Sequence, residues 1–406
     1  MFFCIKPLYL HSRKANILTK YIHMRLFKTV LCAVAIVMGA SGQAQGLKDA
    51  YKDYFSVGVA VNMRNLGNDK HVAIIKNNYN SITAENDFKP QSVQPQEGQW
   101  NFRNADAIAD FCRENGIKLR GHCLAWHSQV GQWMFQGANG GQATKEELYA
   151  RMKTHITTVM QRYKDIIYCW DVVNEAVSDG GSDPLRNSQW KQIAGGDEFI
   201  RKAFEFAHEA DPDALLFYND YNAAVPAKRD KIYNMVKEMK EAGVPIDGIG
   251  MQGHFNVYEP SLEDIEAAIE KYSEIVDHIQ FTELDIRLNR EMGGQLNMNR
   301  QGEELTPERK KMFEDKYTGF FEVLRRHADV IDVVTFWNVT DADSWVGVSN
   351  YPLLFDRDAN PKDVYYKIVN FTPTQKEKDA AAKSVKKAAN KAADEKAALA
   401  KKNYRK

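Results

Sequence analysis

The sequence predicts a single α/β domain folded as a (β/α)8 TIM barrel, and three observations carry that expectation. Eight short apolar runs recur between residues 55 and 336, and stretches with apolar residues at three- and four-residue spacing lie between them. The runs are nearly continuously apolar, as parallel strands covered on both faces should be, and parallel strands need crossovers of that kind. No glycine-rich phosphate turn follows the first run, so eight repeats suit a closed barrel better than an open doubly wound sheet.

In chain order the strand-like runs are Phe55–Ala60, Ser81–Ala84, Lys118–Cys123, Ile166–Val172, Ala214–Tyr218, Gly248–Met251, Ile279–Phe281 and Val333–Phe336. The helix-patterned stretches are Ala105–Asn115, Glu146–Tyr163, Glu198–Ala210, Ala227–Ala242, Leu262–Tyr272 and Pro307–His327. With 406 residues, 44% hydrophobic and 27% charged, the chain has material for one barrel-sized core or two smaller ones, and disorder is excluded for most of it.

The two ends differ from the body. Residues 1–23 are basic and unpatterned, and Met24 makes a better start, so this segment is read as a doubtful N-terminal extension. Arg25 and Lys28 then precede an apolar run from Val30 to Ala40, and Ser41-Gly42-Gln43-Ala44 supplies small residues suited to cleavage after Ala44. That order predicts a signal peptide over 24–44, too short to span a bilayer permanently. The mature chain is expected to be exported, periplasmic or secreted, with no membrane association after cleavage. Cys32 lies inside the apolar run, too early to be a lipidation cysteine. Only Cys112, Cys123 and Cys169 follow the cleavage site, too few for a disulfide framework, so buried thiols are expected, with one bridge as the alternative. A catalytic domain is assigned to 47–371. Beyond Phe371 the composition turns to Lys and Ala, and 372–406 is expected to be a solvated helical tail without catalytic role.

A formal net charge of zero gives no electrostatic reason for a nucleic-acid partner, and no zinc-like Cys/His spacing occurs. The Trp, Tyr and Phe content offers flat faces that can stack on sugar rings.

In a barrel the chemistry collects where strands end. Two glutamates stand there: Glu175 closes Tyr168-Cys169-Trp170-Asp171-Val172-Val173-Asn174-Glu175, and Glu283 closes Ile279-Gln280-Phe281-Thr282-Glu283. Paired carboxylates at one site point to acid/base and nucleophilic work on a glycosidic bond, against the plainer alternative of glutamates at helix N-termini. The second run ends in Glu85-Asn86-Asp87-Phe88-Lys89, where Glu85, Asn86 and Lys89 suit sugar hydroxyls or, alternatively, a helix cap. The third gives His122 with Trp126-His127-Ser128-Gln129. Metal binding by His122 and His127 is conceivable, but no carboxylate sits at supporting spacing. The sixth ends in Gln252-Gly253-His254, and the eighth supplies Trp337 and Trp345. Amide, imidazole, carboxylate and indole at so many strand ends fit a neutral, hydroxyl-rich ring, whose hydroxyls need partners while its apolar face stacks.

Ser81-Ile82-Thr83-Ala84-Glu85-Asn86, Arg120-Gly121-His122 with Trp126-His127-Ser128-Gln129, Trp170-Asp171-Val172-Val173-Asn174-Glu175-Ala176 and Thr282-Glu283-Leu284-Asp285 together resemble glycoside hydrolase family 10, the endo-β-1,4-xylanases. The resemblance runs from about Leu47 to Phe371 and implies a (β/α)8 barrel, no cofactor, and a xylan or xylooligosaccharide substrate. It implies Glu175 as general acid/base and Glu283 as nucleophile. Asn174 then bonds the sugar's 2-hydroxyl, His254 and Asp285 hold the nucleophile, and Gln252 joins the same network. Glu85, Asn86, Lys89, His122, Trp126 and Gln129 correspond to glycone-side binding residues, Trp337 and Trp345 to indoles walling the site, and Tyr221 to the aglycone side or to ordinary packing. The chain departs at Cys123, Ala125 and Asn338, where threonine, valine and glycine are usual. The short Trp345–Pro352 stretch bears on chain-length preference rather than on chemistry.

The expected reaction is retaining double displacement, which needs carboxyl groups roughly 5 to 5.5 Å apart. The alternatives are a β-1,4-glucanase on the same barrel, for which Trp337 and Trp345 would have to leave room for a hydroxymethyl group, and a non-catalytic xylan-binding protein. Intact Glu175, Glu283, Asn174, His254 and Asp285 argue against a mere binder.

Overall fold

The computed structural model describes residues 46–289 and 305–385. The signal-peptide and extension assignments, and the tail beyond residue 385, lie outside the described residues.

Eight parallel strands close into a barrel: β1 (Ser56–Val61), β2 (Ser81–Ala84), β3 (Lys118–Trp126), β4 (Ile167–Asn174), β5 (Leu215–Asp220), β6 (Gly248–Met251), β8 (His278–Arg287) and β9 (Ile331–Phe336). Closure comes from two pairings that join strands distant in sequence or skip a neighbour. Val57 on β1 pairs with Val334 on β9, and Ile249 on β6 pairs with Ile279 on β8. A three-residue strand, β7 (His254–Asn256), extends the sixth staves' contact with β8 further toward the barrel mouth, pairing His254 with Asp285. Between β6 and β7 lies Gly253 at φ +86°, a left-handed conformation that glycine adopts without a Cβ penalty. That turn lets one barrel position supply both Gln252 and His254 to the mouth.

All eight sequence-read runs are strands, but several continue past the end read from sequence: β3 to Trp126, β4 to Asn174, β5 to Asp220 and β8 to Arg287. In these extensions buried apolar residues such as Ala125, Val173 and Leu284 alternate or mix with polar ones such as Asn174, Asp220 and Glu283, whose side chains find hydrogen-bond partners. Glu283 is therefore inside a strand and not at its end, a correction to the boundary read from sequence. Register shifts fall between His122 and Ala125 on β3, Asp171 and Val173 on β4, and Phe281 and Leu284 on β8. Bulges of this kind bend a strand and re-aim side chains. The His122–Cys123 peptide is cis.

The helices follow the predicted stretches within one to two residues, for example Lys145–Arg162, Glu198–Ala210 and Leu262–Tyr272. The Lys145–Arg162 helix begins with a reciprocal cap, Thr144 accepting from the Glu147 N–H and Glu147 accepting from the Thr144 N–H, which satisfies otherwise orphaned donors. Its buried positions, among them Leu148, Met152, Ile156, Val159 and Met160, recur at the three- and four-residue spacing of one helix face.

The barrel interior is partly polar. Arg120 is fully buried and bonds Gln280 through Nε at 2.7 Å and Asp171 through both Nη atoms. Beside it the Gly121 position has no room for a side chain, since a Cβ there would stand 2.1 Å from the Trp170 indole. Cys112, Cys123 and Cys169 are buried and free, as thiols at core positions. Among the described residues no helix is long and apolar enough to cross a membrane.

Leu324–Asp329 and the described residues from Phe371 cluster as a separate small unit. Residues 375–385 are helical, as the Lys/Ala composition predicts. The start of that helix is not freely solvated, however: Glu377 is buried and accepts from Arg325 Nε at 2.5 Å. The pairing depends on one acidic residue, which the bulk composition of the tail conceals.

Candidate active site

Glu175 follows the last residue of β4, with φ +57°. It caps no helix, because the next one begins at Gln189. Its backbone N–H donates to the Asn219 carbonyl at 2.9 Å and its carbonyl accepts from Arg186 Nε at 2.9 Å. The carboxylate is surrounded by uncharged donors. Oε1 accepts from Gln252 Nε2 at 2.9 Å and Asn174 Nδ2 at 3.3 Å, and Oε2 accepts from Trp126 Nε1 at 2.9 Å. His127 Nδ1 lies 4.0 Å from Oε2, too long for a hydrogen bond.

Glu283 stands in a different environment. Oε1 accepts from Asn219 Nδ2 at 3.0 Å and Oε2 from His254 Nε2 at 3.2 Å. The other ring nitrogen of His254 bonds Asp285 Oδ2 at 2.8 Å, and that same oxygen accepts from Trp345 Nε1 at 2.8 Å. Burial opposes charge on the glutamate, but the His254 hydrogen bond and the charges of His122, His254 and Lys89 override it, holding the carboxyl down to about 2. Burial likewise opposes charge on His254, and Asp285 with Glu283 outweighs it, lifting the imidazole to about 10. Both shifts favour a positively charged imidazole facing a negatively charged Glu283.

Asn219 links the two glutamates. Its amide nitrogen donates to Glu283 Oε1 and, at 2.9 Å, to Asn174 Oδ1, while its oxygen accepts from Thr282 Oγ1 at 2.7 Å. Each bond fixes the orientation of the next amide. With Oδ1 occupied, also by Gln252 Nε2 at 3.4 Å, Asn174 turns Nδ2 toward Glu175.

Around this pair lie the other residues chosen from sequence. Glu85 accepts from Asn62 Nδ2 at 2.9 Å, and Asn62 is itself fixed by a reciprocal cap with Asn65. Lys89 donates to Asn86 Oδ1 at 2.9 Å and sits 5.1 Å from the centre of the Trp126 ring. No side-chain cap bond joins Lys89 to the helix it precedes, so the helix-cap alternative for this cluster does not hold. His122 commits Nδ1 to Asp171 Oδ2 at 2.7 Å, leaving Nε2 for a ligand. Trp337 is buried with its ring near-perpendicular to both His122 and His254. Gln129 is exposed and its side chain enters none of these bonds.

Sequence reading gave no role to Asn219, Asp171, Arg120, Asn62 and Arg186, although Arg120 and Asp171 stand within the motifs quoted above. Asn62 and Asn219 carry the signal that identified the others, a polar residue at a strand end, on the first and fifth runs. Asp171 and Arg120 lie inside runs that read as core, and Arg186 lies in a loop with no periodic signal.

Three comparisons bear on this arrangement. Residues 46–371 match the family described as Glycosyl hydrolase family 10. The chain is 52% identical over 360 residues to an endo-1,4-beta-xylanase/feruloyl esterase of Xylanibacter ruminicola, the match covering 82% of this chain and 49% of that one, so this chain spans about half its length. It is 41% identical to endo-1,4-beta-xylanase B of Paenibacillus barcinonensis over 81% of this chain and 99% of the relative. Among solved structures it resembles a psychrophilic glycoside hydrolase family 10 endo-beta-1,4-xylanase at TM-score 0.77 and 58% identity, covering 81% of this chain and all of the other.

Proposed function

This chain belongs to glycosyl hydrolase family 10, and from that premise we infer that it hydrolyses internal β-1,4-xylosidic bonds of xylan with retention of configuration. The observation that carries the reading is the contrast between two linked carboxylates, one beside an imidazolium and one among neutral amides and an indole. In the first step Glu283 attacks the anomeric carbon, the bond to the departing sugar oxygen breaks, and Glu175 gives that oxygen its proton. Water then gives a proton to Glu175 and displaces Glu283 from the glycosyl-enzyme, restoring both groups.

The assignment of roles rests on chemistry. A nucleophile must be ionised at working pH, and the hydrogen bond from His254 favours that state of Glu283. A group that gives and takes a proton each turnover is better served by uncharged partners, which Glu175 has. Asn174 Nδ2 donates to Glu175 Oε1 through one N–H, and its second N–H suits the 2-hydroxyl. Glu85, Asn86, Lys89, His122 and Trp126 would hold the glycone, with Trp337 and Trp345 as walls. The glucanase reading requires Trp337 and Trp345 to leave room for a hydroxymethyl group that xylose lacks.

Release of reducing sugar from xylan, with little from carboxymethylcellulose, is the expected result. Activity on neither polymer would overturn the assignment, and preference for the cellulose derivative would favour the glucanase reading. Export through a signal peptide at 24–44 belongs to the same proposal, supported by the basic flank, apolar run and small-residue exit. Intact-mass measurement of the protein recovered outside the cytoplasm should place the mature N-terminus after Ala44, and retention of 24–44 would refute it.

A further inference from the structure

We propose that Arg186 is a positioning residue for the acid/base group, holding the backbone of Glu175 so that its carboxyl meets the departing oxygen. The inference rests on the reading of Glu175 given above.

A non-glycine residue in the left-handed region pays roughly 1–2 kcal/mol in Cβ crowding and stays there only when its surroundings impose it. Glu175 is held at both of its peptide groups, by Asn219 on the N–H side and by Arg186 on the carbonyl side. Arg186 is itself tightly placed. Its own N–H donates to the Ala176 carbonyl at 2.7 Å, and Ser178 N–H donates to the Pro184 carbonyl at 2.9 Å, so the segment 176–186 folds back into a closed loop.

The guanidinium then continues outward. Nη2 donates to the Tyr221 hydroxyl at 2.6 Å, and that hydroxyl donates to Asp179. Asp179 pairs with Lys228 at 2.8 Å, and Lys228, itself buried, pairs with Asp220 at 2.8 Å. Asp220 accepts from the Tyr218 hydroxyl at 2.5 Å, and Tyr218 accepts from the Val177 N–H at 2.9 Å. The circuit thus leaves the chain at Glu175 and returns to it two residues later. A loop anchor alone needs one such bond, whereas a closed circuit through three elements fixes where the peptide after Glu175 points. Small displacements of a catalytic group cost rate steeply, about 10²-fold for 1 Å.

The test exploits the fact that a proton donor matters only for leaving groups that need a proton. The values of kcat/KM would be measured for aryl xylobiosides with a poor (phenyl) and a good (dinitrophenyl) leaving group, on the wild type, Arg186→Met, Arg186→Lys and Glu175→Ala. For Arg186→Met the expected loss is about 10²-fold on the phenyl glycoside and less than about 3-fold on the dinitrophenyl one, with Arg186→Lys between wild type and Met. Equal losses on both substrates, or none on either, would overturn the proposal. Should the Arg186 variants fail to fold, Asp179→Asn loosens the far end of the same circuit and carries the same leaving-group dependence at roughly 3- to 10-fold, and its absence would be equally decisive. Glu175→Ala separates the two levels: if it too lacks leaving-group dependence, the acid/base reading is wrong, and if it alone shows it, only the role of Arg186 is.

Discussion

His254 Nε2 lies 3.2 Å from Glu283 Oε2, and the two groups shift one another in opposite directions, the glutamate down to about 2 and the imidazole up to about 10. Since the hydrogen bond and positive charge lower the glutamate, removing them raises it. His254→Asn should therefore move the acidic limb of the kcat/KM profile on xylan to higher pH, and an unmoved limb would show that His254 does not keep Glu283 ionised.

The same pair makes a statement about stability. The depressed glutamate contributes stability above its unfolded value of about 4.3, lost as pH falls toward 2. The raised histidine contributes below its unfolded value of about 6.5, lost as pH rises toward 10. Both contributions are present between those unfolded values. The melting-temperature gap between wild type and His254→Asn should be widest near pH 5.5, about midway between those two unfolded values, and should narrow at either extreme.

Asn219 donates to a charged acceptor and to Asn174 from a fully buried position. Hydrogen bonds to charged groups contribute about 1.5–3 kcal/mol, so Asn219→Ala should lower kcat/KM on xylan by roughly 10- to 100-fold. Unchanged kinetics with unchanged folding would leave Asn219 outside the catalytic set.

Azide reports on the nucleophile. Glu283→Ala should be inactive on xylan and, with azide in the vacated space, should convert an activated xyloside to the α-glycosyl azide. A β-azide, identified by proton NMR, would mean that Glu283 is not the displacing group.

The Gly121 site tests packing independently of chemistry. A Cβ there meets Trp170 ring carbons at 2.1 to 2.5 Å, and Trp170 is itself buried. Overpacking of this severity costs about 3 kcal/mol or more, and Gly121→Ala should unfold at correspondingly lower denaturant concentration. Wild-type stability would show that the indole can move aside.

Much of this was legible in the chain. The eight apolar runs marked the strands, and Glu175, Glu283, His254, Asp285, Trp126 and Gln252 do converge in one hydrogen-bonded set. Strand ends were less legible, because β8 continues through Glu283 to Arg287 on pairing that polar residues sustain as well as apolar ones. Arg120 and Asp171 were hidden for a related reason: their charges neutralise one another inside the barrel, a long-range pairing that no local pattern records. Arg186 was hidden because its partners, Glu175 and Tyr221, come from two separate strand ends.

The pairing of β1 with β9 has a consequence for the order in which the molecule assembles. The first strand cannot satisfy one of its edges until the last has been synthesised, and contacts of such sequence separation are slow to form. Until then both β1 and β8 present unpaired backbone, the kind of edge on which chains associate with one another. A chain ending before Ile331 would keep both glutamates yet lose Trp337 and Trp345 along with the seam, and should accumulate as aggregate rather than as a weakened enzyme.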